Sequence, residues 1–474
     1  MKKSIFGLFF GLLFLFVFSI STANAATEIT VYSYERETPH YWGGHSPFNY
    51  NQGLAMIKDT RNFYLGTGLE EIEMEGVSMY LDPTSIQFKD LSCLRTKAFE
   101  QQFLYEPLNR EKIYEENLDE EVIVSFEGNE IIGTLISYNP LVVKTDGRTV
   151  MISSDAVKSI EFVNLPDYIL EPTISWKVNS YCDGDNQIMA TYLTRGISWN
   201  VDYILTTDAN QDKASLESWV TIDNKAGDFE DSAFTLVAGS PNVLETIQYY
   251  ARYDYAPMMA MEETEAGAAK GYSYAEEAFF EYHTYKLDQT IDLYKDEIKQ
   301  IEFISADGIS LEKEYILEAR SEDIKANIIF DNSETNSLGN PLPAGKVRIY
   351  VLNESGEDVG VGFAGEDYVE HTAENEEISL TVGKVFDIIA KRTETDYNRI
   401  SDCRESYSYK VELTNEKDEA VTVKVYDRFY GDWRIIETNN NNYIKESADE
   451  IYWNVNIPAN GETTLTYTTE RQWC

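Results

Sequence analysis

Apolar and polar residues alternate one by one along much of this chain, and this alternation constrains the fold more than any other feature. The pattern is clearest in residues 199–205, 407–413, 421–425 and 451–457. A strand with one buried face points every second side chain to the same side, so a period of two is typical of antiparallel sheets. Helical periodicity is nearly absent. We therefore predict an all-β chain of several antiparallel β-sandwiches.

Residues 119–164 contain five short alternating runs joined by tight turns, which predicts a compact unit within the larger fold. The runs are residues 122–126, 131–138, 141–144, 150–153 and 159–163. Asp146-Gly147 is typical of a two-residue hairpin, because that turn requires positive φ angles. We interpret the unit as a small SH3-like or Sm-like barrel, preceded by a short helix over residues 109–117. A structural insert is favoured over a binding role, since the unit has no aromatic groove and no basic strip.

The first 25 residues have the organisation of a secretory signal. Lys2 and Lys3 precede a nearly unbroken apolar run over residues 5–20, and Ala23-Asn24-Ala25 has the small residues that a signal peptidase recognises. We expect cleavage after Ala25 and export of the mature chain to the periplasm, the cell surface or the medium. An uncleaved anchor is the alternative, but the run is shorter than the roughly 20 residues of a spanning helix. The C-terminal end is polar, so we expect no integral membrane segment in the mature chain.

Four cysteines follow the predicted signal, and an even number of cysteines in an exported chain is typical of disulfides. Any of the pairings that these cysteines allow is open at this stage. We favour Cys93 with Cys182 and Cys403 with Cys474. Cys403 lies just before one predicted strand of the last region and Cys474 ends the last one, so antiparallel neighbours would bring the two sulfurs together. No Cys-x-x-Cys occurs, so neither a zinc ribbon nor a redox motif is supported.

The chain is strongly acidic, with a formal net charge of −43 at pH 7. Such a surface repels phosphate groups, which excludes nucleic acid as a partner and disfavours anionic lipid. Cationic ligands and Ca²⁺ are compatible with it, but a solvated acidic surface is the simpler interpretation. The charge does not predict disorder, because 43% of the residues are apolar and 13% are aromatic, which is enough to fill several cores.

Common catalytic and metal-binding motifs are absent from the sequence, which contains neither Gly-x-Ser-x-Gly nor His-Glu-x-x-His. His40 and His45 flank an aromatic loop without a visible third ligand, and His283 lies in an alternating run. We therefore assign no catalytic residue, no metal ligand and no cofactor. Arg195 lies between apolar stretches beside Gly196, and we expect it to form a structural ion pair inside the sandwich.

A set of segments resembles a known family. Residues 192–203 read YLTRGISWNVDY, and they resemble the signature of the domain-of-unknown-function 4139 family, also called mucoidy-inhibitor-like. The resemblance continues in residues 219–224, 234–239, 280–287, 409–426 and 453–473, and segments 75–77 and 81–86 resemble the region that precedes this domain in relatives. It implies stacked β-domains at the cell envelope. The family has no established activity and no assigned catalytic residues, and the coiled coil of many relatives is replaced here by the predicted barrel.

The sequence divides into an N-terminal β-rich domain over residues 26–118, the small barrel over residues 119–164 and a C-terminal β-sandwich region over residues 173–474. Residues 245–278 lack alternation, and we expect a mobile loop that, with the Tyr-rich strands, is a candidate contact surface. The favoured function is a non-catalytic binding or scaffolding module for another envelope protein or a surface glycan. A secreted polysaccharide hydrolase and a cell-surface adhesin are the alternatives, and the hydrolase would need two carboxylates across a cleft.

Overall fold

The fold is built almost entirely of strands. The computed structural model describes residues 26–33, 53–105, 110–163, 169–239, 241–243, 274–279, 282–355 and 358–474. Strands make up 67% of the structure and helices 4%, so the predicted all-β class with several sheets is confirmed. No helix within these ranges has the length and apolar character of a membrane span. The predicted signal with its cleavage site at Ala25, the residues His40 and His45, and most of the predicted loop over residues 245–278 lie outside the described residues.

The helices and strands have the following bounds in chain order. The first half contains β1 (Ala26–Tyr32), β2 (Leu54–Leu65), β3 (Gly68–Met74), β4 (Gln87–Asp90), β5 (Lys97–Leu104), α1 (Arg110–Glu116), β6 (Glu121–Phe126), β7 (Asn129–Tyr138), β8 (Leu141–Thr145), β9 (Arg148–Ile152), β10 (Val157–Phe162), β11 (Thr173–Ser180), β12 (Gly184–Arg195), β13 (Ile197–Thr207), β14 (Lys213–Asn224) and β15 (Phe229–Ala238). The second half contains β16 (Tyr274–Phe279), β17 (Tyr282–Leu287), β18 (Ile291–Leu293), β19 (Ile298–Ser310), β20 (Glu312–Leu317), β21 (Ile324–Asp331), β22 (Gly345–Ser355), β23 (Asp358–Val369), β24 (Glu377–Lys384), β25 (Ile388–Ser401), β26 (Arg404–Asn415), β27 (Val421–Arg428), β28 (Asp432–Thr438), β29 (Tyr443–Lys445), β30 (Glu450–Ile457) and β31 (Gly461–Gln472). Short 3₁₀ helices lie at Pro83–Ser85, Ser154–Ala156 and Glu334–Asn336.

Strands from distant parts of the chain share the sheets of the N-terminal half. One sheet has the order β16-β17-β15-β1-β2-β12-β4, with β18 paired to β15, and a three-stranded sheet has the order β3-β11-β5. β1 therefore lies between β2, which precedes the small unit in the chain, and β15, which follows it and runs parallel to β1. These sheets join the predicted ranges 26–118 and 173–474, and one hydrophobic core around Trp176, Tyr192 and Tyr203 spans both ranges.

The predicted loop is wrong at its carboxyl end. Residues 274–278 belong to β16, which pairs antiparallel with β17. Tyr274 stacks on Phe303 with ring centres 4.5 Å apart, and its ring lies edge-on to Tyr285 at 5.8 Å. Aromatic packing therefore holds the end of this segment against the sheets, although its composition gives no strand periodicity.

The small unit is a five-stranded antiparallel sheet in the order β10-β6-β7-β8-β9. Each of the five predicted runs forms one of these strands, and the helix predicted over residues 109–117 is found as α1. A separate core with Val122, Val124 and Leu135 fully buried stabilises the unit. Closure into a barrel requires a ladder between β9 and β10, which is not among the strand pairs of the described residues, so the barrel remains a prediction.

The C-terminal body is a sandwich of two sheets. A six-stranded sheet in the order β24-β21-β20-β27-β30-β29 packs on a four-stranded sheet in the order β25-β26-β31-β28. Their facing side chains form one core around the buried residues Val423, Val425, Trp453 and Leu465. The remaining five-stranded sheet, in the order β19-β14-β13-β22-β23, contributes its buried side chains to the N-terminal core.

Two disulfides join distant parts of the chain, as predicted, and they have the favoured pairing. Cys93 is bonded to Cys182, with Cα atoms 6.1 Å apart, and Cys403 is bonded to Cys474, with Cα atoms 5.6 Å apart. The second disulfide ties the turn between β25 and β26 to the residues that follow β31. There the backbone amide of Trp473 donates a hydrogen bond to the Cys403 carbonyl at 3.2 Å.

Candidate binding groove

A parallel pair of strands brings two distant turns together at one edge of the C-terminal body. β20 runs parallel to β27, with Leu317 opposite Val425. Parallel strands end on the same side of a sheet, so the turn over residues 318–320 and the turn over residues 429–431 lie next to each other. Glu450 joins them because β30 pairs with β27 at this end.

The space between these turns is a surface groove of about 470 Å³, which we call the Tyr430 groove. Its walls are formed by Ile316, Glu318, Ala319, Arg320, Tyr426, Arg428, Tyr430 and Glu450. Tyr430 is 57% exposed, so its ring is accessible to a partner. The groove therefore combines aromatic rings with both signs of charge on one open surface.

The two carboxylates of the Tyr430 groove already have partners of opposite charge. Arg428 Nη2 lies 3.0 Å from Glu450 Oε1. Lys325 Nζ, from the neighbouring strand β21, lies 2.8 Å from Glu318 Oε1. Exposed pairs of this kind add little to stability, but they neutralise the groove and fix where its charges lie.

Arg320 has no such partner. No carboxylate of the residues that the structure describes lies within ion-pair distance of its guanidinium. Its φ angle is +61°, in the left-handed region that costs a residue with a side chain about 1–2 kcal/mol. In this conformation the guanidinium lies 5.9 Å from the centre of the Tyr430 ring. An arginine over an exposed tyrosine is typical of binding hot spots, in which both residue types are enriched.

Next to the Tyr430 groove, a buried ion pair joins the two sheets. Arg392 Nη1 of β25 lies 3.4 Å from Asp427 Oδ1 of β27, and these side chains are 9% and 7% exposed. Arg392 Nη2 also donates to the Tyr426 carbonyl at 2.8 Å, and the Tyr467 hydroxyl donates to Asp427 Oδ2. Trp453 stacks on Tyr467 with ring centres 4.6 Å apart. This cluster thus joins side chains from four strands inside the core: β25, β27, β30 and β31.

Burial raises the pKa of both acidic groups in this contact. Burial raises the pKa of Asp427 above its ordinary value, although Arg392 and the Tyr467 hydroxyl act in the opposite direction. The pKa of Tyr467 is also raised, because the phenol is buried and the Asp427 carboxylate lies next to it. Side chains alternate along β27, so Asp427 faces the core while Tyr426 and Arg428 face the groove.

The geometry of the groove does not match a glycoside hydrolase. Cleavage needs two carboxyl groups about 5–10 Å apart that face a bound sugar, one of them able to give a proton. Glu318 and Glu450 are held by cations, and the neighbouring Asp427, whose pKa is raised, is buried in the core. Within the described ranges, no group of three or more His, Cys, Asp or Glu side chains is arranged to hold a metal ion.

A second charged cluster lies between β26 and β31. Glu405 accepts hydrogen bonds from the Tyr407 hydroxyl at 2.7 Å, from the Tyr397 hydroxyl at 3.1 Å and from the Arg471 guanidinium. Burial alone would raise the pKa of Glu405, but these hydrogen bonds and the Arg471 charge outweigh it, so the pKa lies below its ordinary value. The ionised carboxylate therefore holds the two strands together.

We expect the C-terminal body to lose stability in acid through Glu405. Its pKa is lowered in the folded state, so the ionised carboxylate stabilises the fold fully above the ordinary pKa of 4.5. This contribution is lost as the pH falls through the folded value. Urea unfolding of the wild type and of Glu405→Gln should give different free energies of unfolding at pH 7 and similar ones at pH 3. An equal difference at both pH values would contradict this role.

Arg195 and the two histidines that the structure describes lie outside the groove. Arg195 ends β12, and none of the described carboxylates lies within ion-pair distance of it, so the predicted ion pair is wrong. The reason is that its side chain is only partly buried; the ion pair inside the sandwich is formed by Arg392 and Asp427 instead. His283 lies in β17, and His371 accepts a hydrogen bond from a backbone amide at 3.1 Å.

The segment that resembles a family signature joins β12 to β13 through Gly196. Gly196 has a φ angle of +88°, and a Cβ atom there would lie 2.7 Å from the Tyr80 ring, so the turn requires glycine. No protein-family model and no curated protein matches this chain. The resemblance to the domain-of-unknown-function 4139 family therefore remains a prediction from these residues.

Sequence reasoning did not predict the Tyr430 groove. Arg320 lies in a short turn after one alternating run, and Tyr430-Gly431 follows another, but neither turn carries a motif. The two turns meet only because β20 and β27 pair in parallel, and alternation does not encode which strands become neighbours. The one local signal was an arginine and a tyrosine in turns directly after buried strands.

Proposed function

We propose that this chain is exported and acts as a non-catalytic binding or scaffolding module for another envelope protein, with the Tyr430 groove as its contact surface. The observation that carries the proposal is Arg320, which has no carboxylate partner among the described residues and lies beside the exposed ring of Tyr430. Tyr and Arg residues account for much of the binding energy at protein interfaces. A partner that brings a carboxylate to Arg320 and covers Tyr430 would satisfy both side chains.

Two independent features support export. Residues 1–25 have the organisation of a secretory signal, and disulfides such as the two found here persist in oxidising compartments. We place the mature chain in the periplasm, at the cell surface or in the medium. A net charge of −43 favours a partner whose surface around the contacting carboxylate is basic.

The charges of the groove favour a protein over a neutral glycan. Arg428 with Glu450 and Lys325 with Glu318 form a fixed pattern of both signs at the rim. Such patterns steer a complementary protein surface into register and repel others. A neutral sugar can hydrogen-bond to these groups but carries no charges that match their pattern. A surface glycan is therefore the weaker candidate for this groove.

A photo-crosslinking residue at position 430 should trap one protein. We expect benzoylphenylalanine in place of Tyr430, in the mature chain mixed with an envelope extract of the producing cells, to crosslink one protein in stoichiometric amount. Adding Arg320→Ala should weaken this complex about tenfold or more, because the carboxylate of the partner loses its counter-charge. The crosslinked band is read by mass spectrometry.

The matched control places the same crosslinker at Tyr64, which is 71% exposed and lies in β2 of the N-terminal half. It should not trap the protein that position 430 traps. Equal trapping from both positions would show unspecific contact. Release of reducing sugar from envelope glycans by the purified chain would contradict a non-catalytic role.

A further inference from the structure

A second cavity lies in the N-terminal half, at the loop that carries Cys93. It has a volume of about 460 Å³ and involves β4, β5 and the loop over residues 91–96 that joins them. Its walls are formed by Phe88, Lys89, Asp90, Leu94, Thr96, Lys97, Ala98 and Gln101. We call it the Asp90 cavity. It shares no residue with the Tyr430 groove, so what it binds is independent of the proposed function.

Asp90 is buried in the wall of this cavity with one oxygen unused. The residue is 2% exposed, and its Oδ1 accepts hydrogen bonds from the backbone amides of Ser92 at 3.0 Å and Cys93 at 2.8 Å. Oδ2 is buried and has no hydrogen-bond partner in the described part of the chain. Leaving a buried acceptor unsatisfied costs about 1–3 kcal/mol, and more for a charged group. A ligand donor recovers this free energy when a small movement of the cavity wall lets it reach Oδ2, which has almost no exposed surface in this structure.

Thr96, at the other end of the same loop, also has a buried polar atom without a hydrogen-bond partner in the described ranges. It is 3% exposed, and its hydroxyl is likewise buried without a partner among the described residues. The side chains of Asp90 and Thr96 line the same cavity but do not bond each other. Native proteins pair the large majority of their buried polar side chains, so two unpaired ones at one cavity point to a ligand that both donates and accepts hydrogen bonds.

The rim of the cavity supplies positive charge and apolar surface. Lys89 and Lys97 are exposed, and neither lies within ion-pair distance of a carboxylate in the part of the chain that the structure describes. In such an acidic chain, two unpaired lysines create a local positive potential. Phe88 packs edge-on against Trp176 with ring centres 5.4 Å apart, which fixes an aromatic wall. Leu94, which is 68% exposed, adds apolar surface at the opening.

We propose that the Asp90 cavity binds a sugar that carries a carboxylate group, such as a uronic acid. A sugar hydroxyl both donates and accepts hydrogen bonds, so neighbouring hydroxyls can donate to Asp90 Oδ2 and bond the Thr96 hydroxyl. The apolar face of the ring packs against Phe88, and the carboxylate lies near Lys89 and Lys97. A metal ion fits less well because two ammonium groups stand at the rim.

The direct test is calorimetric titration of the mature chain with a tetramer of galacturonic acid. Asp90→Asn is the decisive variant, because its side-chain oxygen still accepts the two backbone amides of the loop while an amide nitrogen replaces Oδ2. We expect the wild type to bind and Asp90→Asn to bind about tenfold or more weakly. Lys97→Ala should also weaken binding and reduce its dependence on salt.

Thr96→Val separates binding from a structural role. Valine has nearly the same shape and lacks the hydroxyl, so the free variant should melt at a higher temperature than the wild type once the unpartnered oxygen is gone. The same variant should bind the tetramer several-fold more weakly. A hydroxyl that served only the fold would not change stability and affinity in these opposite directions.

Lys158→Ala, which changes an exposed lysine of β10 in the small unit, is the matched control for Lys97→Ala, and it should bind the tetramer as the wild type does. The proposal is overturned if the wild type gives no saturable heat, or if Asp90→Asn binds as tightly as the wild type. It is also overturned if a neutral galactose tetramer binds as tightly as the acidic one. None of these results touches the Tyr430 groove, because crosslinking at position 430 does not involve this cavity.

Discussion

Replacing Arg392 with methionine should lower the free energy of unfolding of the C-terminal body by about 3–5 kcal/mol. The substitution removes the cation that contacts the buried Asp427 carboxylate, which would then lie in the core without its counter-charge. The Tyr467 hydroxyl still donates to this carboxylate, but one neutral hydrogen bond does not balance a buried charge. Urea unfolding followed by tryptophan fluorescence, which reports on Trp453 in the same core, measures the loss.

Two comparison variants decide what this loss means. Lys391→Met changes the neighbouring, exposed residue of β25 and should be nearly neutral. Arg392→Met combined with Asp427→Leu should regain most of the stability, because no charge is then left in the core. A cost below about 1 kcal/mol for Arg392→Met, or a double variant no more stable than the single one, would show that this ion pair does not hold the sheets together.

Removing the Cys93–Cys182 disulfide should cost about 2–4 kcal/mol of the free energy of unfolding. Its cysteines are 89 residues apart in the chain, and the bond restricts the unfolded ensemble by closing that loop. The Cys403–Cys474 disulfide spans 71 residues, so loop closure predicts a nearly equal cost for its removal. Denaturant unfolding of the two double serine variants tests both values.

The local effects of the two disulfides should differ. Cys93 lies in the loop over residues 91–96, so its loss should loosen the Asp90 cavity and weaken binding of the uronate tetramer. Loss of Cys403 should instead speed hydrogen exchange at the end of β31. Free thiols in the native wild-type chain would contradict both expectations, since they would show that the pairs do not form.

Each alternating run that the sequence analysis named became a strand, because burial of one face is a local property of a strand. Residues 199–205 and 421–425 fall inside β13 and β27, and the five runs of the small unit became five paired strands. The strand predictions required no knowledge of distant partners. The Cys403–Cys474 pairing did, since it assumed that two distant strands are antiparallel neighbours, and β26 and β31 do pair in this way.

The candidate site could not be predicted in this way because it depends on which strands become neighbours. Arg392 lies in a polar stretch, and nothing near it in the sequence marks it as buried, since Asp427 reaches it from the facing sheet. Arg195 has the more apolar sequence context, yet it is only partly buried. The Tyr430 groove likewise follows from the parallel pairing of β20 and β27, which no local pattern encodes.

If the chain is exported as we propose, the position of β1 sets the order in which strand partners become available. β2 precedes the small unit in the chain, but the other neighbour of β1, β15, and the other neighbour of β2, β12, both follow it. Until β12 and β15 emerge on the far side, both edges of the β1–β2 pair are open to pairing with other newly translocated chains. The yield of native protein would then depend more on fast translocation, or on a chaperone that binds the unfolded chain on that side, than on the stability of the folded state.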